Sequence, residues 1–256
     1  MTTDSSFLDI FTLPERWRLI NEPLSDNPSQ ALKRDTDLLR EVSSGKRGAT
    51  ARLWEVPQCL VVTRKETRFP YYPQAVETLS DNGWPVIVRD SGGTSVPLHP
   101  GILNFSLIFP QTSSCSFNLD DAYMALCTPI RNALCRLDLN AEYGETPGSY
   151  CDGRYNLNVE GLKITGTAQR VMLSTSNKKA IKQGVLAQAM LMVEADAKSG
   201  TDWVNRFYQE AGSELRFDPA VATSIDALVD NQLAAGELTI LIRKLIAEEF
   251  SQLINK

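Results

Sequence analysis

The chain switches between two hydrophobic periods, one near 3.6 residues and one of 2, and the switches mark its elements. Residues 1–27 follow neither period. They hold Pro14, Pro23 and several Asp and Ser residues, and are expected to be irregular. Asn27-Pro28-Ser29 opens a helix, with Pro28 tolerated in its first turn. Ala31, Leu32, Leu38, Leu39 and Val42 then share roughly one face, and Ser43-Ser44-Gly45 ends it. Residues 50–63 read as two strands around Glu55-Val56-Pro57-Gln58. A short helix over 73–82 stops before Gly83, and 84–89 is a strand. Residues 90–101, with Gly, Ser and Pro, form a loop. Residues 102–109 form a strong strand stopped by Pro110.

The helical period returns over 119–137, on Ala122, Met124, Ala125, Leu126, Ile130, Ala133 and Leu134. Pro129 predicts a kink or a break inside it. Residues 143–153 are a polar, glycine-rich loop. Residues 156–159 and 163–173 read as a hairpin around Glu160-Gly161, and 184–193 as a buried strand. Helices are expected over 201–212, 219–231 and 237–254. The last carries a stripe of Leu238, Leu241, Ile242, Leu245, Ile246 and Phe250. Strands dominate the middle and helices the end, so the pattern predicts an α+β class rather than a doubly wound sheet.

Composition narrows the function. The 256 residues are 43% hydrophobic and 22% charged, with a net charge of −5. An acidic chain lacks the basic footprint of a nucleic-acid binder, so no nucleic-acid partner is expected. No apolar run approaches the roughly 20 residues that span a bilayer, so no membrane association is expected. The start, MTTDSSFLDIF, lacks a basic n-region followed by a long apolar run, which argues against a signal peptide. Five cysteines without CxxC spacing fit reduced thiols in a cytoplasmic protein. His99 is the sole histidine. A His-rich metal site is thereby excluded, no metal is expected, and nucleophilic chemistry needs another base or a pKa-shifted group.

Three segments carry candidate chemistry. Arg89-Asp90-Ser91-Gly92-Gly93-Thr94-Ser95-Val96 runs from a strand into a glycine pair. It is either a plain turn or a loop whose backbone amides hold an anion or an acyl carbonyl. Gly161–Arg170, GLKITGTAQR, alternates Lys163, Thr165 and Thr167 with Ile164 and Gly166. Lys163 either faces solvent, the usual fate of lysine, or meets an anion or carbonyl beside Gly166. Residues 147–155, PGSYCDGRY, place Cys151 in a polar loop. Cys59 lies in an apolar strand, Cys127 and Cys135 share one side of a helix and look like core, and Cys115 sits in a Ser-rich loop. Cys151 is an inert exposed thiol, or one whose pKa is lowered by Arg154 and Lys163.

In this order the segments resemble the biotin/lipoate A/B protein ligase superfamily. The first is similar to that superfamily's RRxxGGGxV lipoyl-binding loop, and GLKITGTAQR is similar to its lysine-bearing G-x-K-I-x-G-x-A-Q strand. Arg52-Leu53-Trp54-Glu55 resembles its R-x-W strand start. Residues 147–157, PGSYCDGRYNL, resemble the cysteine-containing branch, whose members move octanoyl or lipoyl groups through a thioester. ATP-dependent lipoate ligases of the superfamily typically carry V-Y-H-D after the glycines. Here Val96-Pro97-Leu98-His99 puts Leu98 in the place of that histidine, and the chain ends before the extra C-terminal domain of many ligases. The resemblance therefore favours the transferase, particularly the amidotransferase that takes octanoyl from glycine cleavage H protein.

The resemblance implies a single catalytic domain over 1–256, with its core at about 30–195 and C-terminal helices over 197–256. It implies a mixed, largely antiparallel sheet flanked by helices. It casts Cys151 and Lys163 as catalytic residues, and Arg89, Ser91, Gly92, Gly93, Thr94, Asn104, Gly166, Thr167 and Ala168 as binding the acyl or lipoyl group. Backbone amides at Gly92-Gly93-Thr94 and around Gly166-Thr167 would hold the oxyanion. No cofactor is implied, octanoyl or lipoyl being substrate. The implied partners are lipoyl-domain proteins and glycine cleavage H protein or acyl carrier protein, and a monomer is expected. An ATP-dependent lipoate ligase and a non-catalytic acyl- or protein-binding module are the alternatives.

Overall fold

The computed structural model describes residues 7–12, 16–113, 117–175, 181–230 and 233–255. Among the described residues, ten strands and five α-helices follow in chain order: β1 (Arg18–Leu24), α1 (Pro28–Ser43), β2 (Thr50–Glu55), β3 (Cys59–Thr63), α2 (Tyr72–Asp81), β4 (Val86–Arg89), β5 (Val96–Leu98), β6 (Ile102–Thr112), α3 (Leu119–Cys135), β7 (Glu142–Tyr143), β8 (Leu157–Val159), β9 (Leu162–Leu173), β10 (Ile181–Met192), α4 (Ala197–Glu210) and α5 (Glu237–Ile254). A seven-stranded sheet has the order β1-β2-β6-β10-β9-β8-β7, and a three-stranded sheet the order β4-β3-β5. Among the described strand pairs, β1–β2 and β3–β4 are parallel and the others antiparallel. The class is thus α+β, with a mixed, largely antiparallel sheet flanked by helices.

The long central strands sort their side chains by parity. Leu103, Phe105, Leu107 and Phe109 of β6, and Val185, Ala187, Ala189 and Leu191 of β10, join the core that α3 and α5 cover. On the opposite face Ile108 and Leu186 pack under Leu38, Leu39 and Val42 of α1. Met190 and Met192 meet the small sheet, α2 and α4. Helix starts follow local capping. Asn27 accepts the Gln30 N–H at 3.0 Å with Pro28 in the first turn, and Asn118 and Asp121 form a reciprocal capping box on α3.

Several expectations need correction. Residues 18–24 are not irregular but form β1, a half-exposed edge strand whose polar residues and Pro23 hide its period. The 90–101 loop contains β5, which is only three residues long. Pro110 does not stop β6, which continues to Thr112. Pairing with β2 ends at Ile108, so beyond it β6 has β10 alone as neighbour, and a residue lacking an N–H fits such an open side. The break expected at Pro129 does not occur, and helix α3 continues through this buried residue. Residues 219–231 do not form a helix. They make single turns at Pro219–Val221 and Ile225–Ala227, because Thr223 donates its N–H to the Lys163 carbonyl and Asp226 to that of Val193, both at 2.9 Å. Residue 231 itself lies outside the described residues.

Candidate active site

Cys151 stands on the loop between β7 and β8 with φ at 47°, in the left-handed region that few non-glycine residues adopt. Three partners hold it there. Its N–H donates to Thr94 Oγ1 at 2.6 Å, and its carbonyl accepts from Asn156 Nδ2 and Lys163 Nζ, each at 3.0 Å. Asn156 also accepts the Thr167 N–H through Oδ1 at 3.0 Å, which ties the loop to β9.

Lys163 is fully buried rather than solvent-facing. The register between β8 and β9 slips near it, pairing Leu157 with Thr165 but Asn158 with Lys163. This bulge sends Ile164 into the α3–α5 core and Lys163 under the cysteine loop. The ammonium donates to the Tyr150 carbonyl, the Cys151 carbonyl and, at 3.4 Å, Ser149 Oγ, and it lies 5.0 Å from the centre of the Tyr150 ring. Burial pulls its pKa down to about 8, a fall also favoured by Arg89 and opposed by Cys151 and Asp152.

The glycine loop closes on the thiol from the small sheet. Arg89 at the end of β4 places Nη2 3.0 Å from the Thr94 carbonyl and 3.5 Å from Cys151 Sγ. Gly93 has φ of +102°, and a Cβ there would lie 2.6 Å from Sγ and 3.0 Å from Arg89 Nη2. Only glycine fits this approach. Burial is the largest influence on the thiol and pushes it up, but Arg89, Lys163 and a hydrogen bond from the Thr94 backbone together outweigh it. The Cys151 pKa therefore falls below its ordinary value. Burial pushes Cys59 and Cys127 up to about 12 instead.

Beside the thiol lies a cavity of about 380 Å³, within the usual range for small-molecule sites. Val61, Val96, Leu98, Leu186 and Met190 give it apolar walls, and Cys151, Arg89, Ser91, Asn104, Gly166, Thr167 and Ala168 all line it. One end is polar. Asp35 of α1 accepts from Ser106 Oγ at 2.7 Å, Gln188 Nε2 at 2.8 Å and Arg52 Nη1 at 2.7 Å. Arg52 also reaches Glu22 and stacks on Trp54, 4.6 Å from the ring centre.

Of the residues expected to bind the acyl group, Gly92, Gly93 and Thr94 do not line this cavity; Gly92 and Gly93 line a neighbouring one outside the thiol, and further corrections concern single residues. Arg154 is not a cation on Cys151; it is exposed and pairs with Asp120, and Arg89 takes that role. The Thr167 amide is engaged by Asn156 and has no proton to offer an oxyanion. Gly92 has open space around it and no left-handed φ, so no steric demand fixes it as glycine. Asn104 is buried, with Nδ2 3.4 Å from the Trp54 carbonyl. Cys135 is exposed, not core, because eight residues turn a helix by about 800°, well off its starting face. Cys115 lies outside the described residues. His99 packs against Trp84 and does not line the cavity beside Cys151. Sequence reasoning passed over Ser149 and Asn156, and also Asp35 and Ser106, since a buried carboxylate on a polar helix looks like any surface Asp. Among the described residues no helix could cross a membrane, and no cluster of His, Cys, Asp or Glu could hold a metal ion.

Residues 27–244 match the family described as lipoyl protein ligase A/B catalytic domain. An octanoyl-[GcvH]:protein N-octanoyltransferase of Kyrpidia tusciae is 33% identical over 233 residues, covering 91% of this chain and 78% of the relative. One of Anoxybacillus flavithermus is 31% identical over 236 residues, covering 88% and 82%. Among solved structures, lipoate-protein ligase A bound with ATP superposes with a TM-score of 0.67 at 17% identity, covering 94% of this chain and 86% of that one. The last likeness is one of fold.

Proposed function

The chain belongs to the lipoyl protein ligase A/B catalytic domain family, and we propose that within it the protein is an octanoyltransferase that moves octanoyl from a lysine of the glycine cleavage H protein to a lysine of a lipoyl domain. The names of the similar octanoyl-[GcvH]:protein N-octanoyltransferases support that donor. One observation carries the chemistry: a thiol with Arg89 3.5 Å from its sulfur and Lys163 on its own carbonyl opens onto a cavity with apolar walls.

The Cys151 thiolate attacks the octanoyl amide carbonyl, forming a C–S bond. The oxyanion takes hydrogen bonds from Arg89 Nε, a buried donor with no partner, and from the amides of Gly92 and Gly93. The C–N bond then breaks, and the departing ε-amine accepts a proton from Lys163, whose ammonium lies beside the cavity residue Gly166. In the second half, a neutral ε-amine of the acceptor attacks the thioester. The C–S bond breaks, the thiolate returns, and the proton lost by the new amide goes back to Lys163. Splitting the transfer this way replaces one hard step with two easier ones. Methylenes of the chain, worth about 0.8 kcal/mol each, hold the acyl group in the cavity. A lipoyl group fits the same scheme as substrate, and no cofactor or ATP takes part.

Intact-protein mass spectrometry tests this reading. Mixing the protein with octanoylated H protein, without ATP, is expected to give an octanoyl adduct that is absent from Cys151→Ser and passes to a lipoyl-domain lysine. Modification of the acceptor only when ATP and free acid are supplied would assign the chain to ligase chemistry instead. Binding of the octanoylated carrier without either transfer would leave a binding module.

A further inference from the structure

A second cavity meets the first at Cys151. It has a volume of about 340 Å³ and lies outside the thiol, walled by Leu119, Asp120, Tyr123, Asp152, Arg154 and Tyr155. Its lining differs from that of the inner cavity. The Tyr123 and Tyr155 rings stack in parallel, with centroids 5.0 Å apart and planes at 9°. Arg154 covers the outer Tyr155 face at 5.1 Å and pairs with Asp120 at 2.6 Å, both side chains being substantially exposed. Such a surface pair is worth at most about 1 kcal/mol, so Asp120 can exchange Arg154 for another cation.

We propose that this outer cavity binds the lysyl arm of both carrier proteins in turn, donor and acceptor using one shared site. The proposal rests on the reading of Cys151 as acyl acceptor. With the acyl chain in the inner cavity and its carbonyl at Sγ, whatever is bonded to that carbonyl must extend to the other side of the thiol. In both half-reactions this is the four-methylene stem of a lysine. Apolar stems lie favourably along aromatic faces, and an ammonium is attracted to them and to a carboxylate. Leu119, 58% exposed at the start of α3, extends the apolar wall to the surface. One arm site means that the first carrier must leave before the second arrives, so donor and acceptor exclude each other.

The experiment compares three reactions in wild type, Tyr123→Ala and Leu119→Ala: acylation of Cys151 by a small octanoyl thioester without a lysyl arm, acylation by octanoylated H protein, and discharge to a lipoyl domain. Both variants are expected to accept octanoyl from the small thioester within about twofold of wild type. They are expected to slow both protein reactions by about tenfold, equivalent to roughly 1.4 kcal/mol. Unmodified lipoyl domain should compete with octanoylated H protein in wild type. Slowing of one carrier alone, unchanged carrier rates, or equal loss with the small thioester would overturn the shared arm site. Wild type that takes octanoyl from no donor would instead remove the underlying reading of Cys151. Leu119→Ala changes an exposed side chain, so a folding defect confined to Tyr123→Ala leaves the test decisive.

Discussion

Gly93 and Lys163 show how single residues set the chemistry of this site. Alanine at Gly93 meets two costs, a left-handed φ and a Cβ only 2.6 Å from Sγ. The backbone alone is worth about 1–2 kcal/mol. Gly93→Ala is therefore expected to lower stability by about that much in urea titrations and to displace the thiol, slowing its alkylation by iodoacetamide. Gly92→Ala, with open space and an ordinary φ, is expected to change neither. Lys163→Ala should lose acylation of Cys151 by the amide donor, because no proton reaches the leaving amine. Lys163→Arg keeps the charge but not the proton transfer, since guanidinium does not readily deprotonate. It should retain a lowered thiol pKa while still failing with the amide donor. Normal acylation in Lys163→Ala, read by mass, would remove the role assigned to it.

Elements account for what the sequence could and could not reveal. The helices with clean 3.6-residue stripes, α1, α3 and α5, and the long apolar strands β6 and β10 were legible because burial on one face dictates their pattern. The segments around Arg89, Cys151 and Lys163 were legible as motifs, through glycine and a cysteine in polar surroundings. What stayed hidden depends on partners distant in sequence. Edge strand β1 exists because β2 lies beside it, and the turns at 219–227 exist because Lys163 and Val193 take their donors. The bulge that buries Lys163 comes from a register no local pattern displays. Asp35 is the clearest such case. It is nearly fully buried on a helix of low hydrophobicity and pins α1 to β2, β6 and β10 through Arg52, Ser106 and Gln188. Removing one member of a buried ion pair leaves a charge without its partner. Asp35→Ala is expected to cost about 3 kcal/mol in chemical denaturation, Glu22 still holding Arg52.

For the molecule as a whole, the proposed mechanism makes turnover depend on two ionisations. In the proposed mechanism Cys151 reacts deprotonated and Lys163 protonated. The thiol ionises below its usual range, and the lysine loses its proton at about 8. The kcat/KM for octanoyl transfer should thus rise with pH as the thiolate forms and fall again above about pH 8. A plateau continuing past pH 10 would deny Lys163 its role as acid. The two cations that lower the thiol's pKa come from different sheets, Arg89 from the three-stranded one and Lys163 from the seven-stranded one. Cys151 sits where the loops of both sheets touch. On an unfinished or half-folded chain the same cysteine has neither cation beside it and behaves as an ordinary, sluggish thiol. A thiol whose pKa falls only when both sheets have docked is spared premature reaction with electrophiles. Its reactivity toward a mild alkylating agent would then report completed folding, residue by molecule, without any substrate.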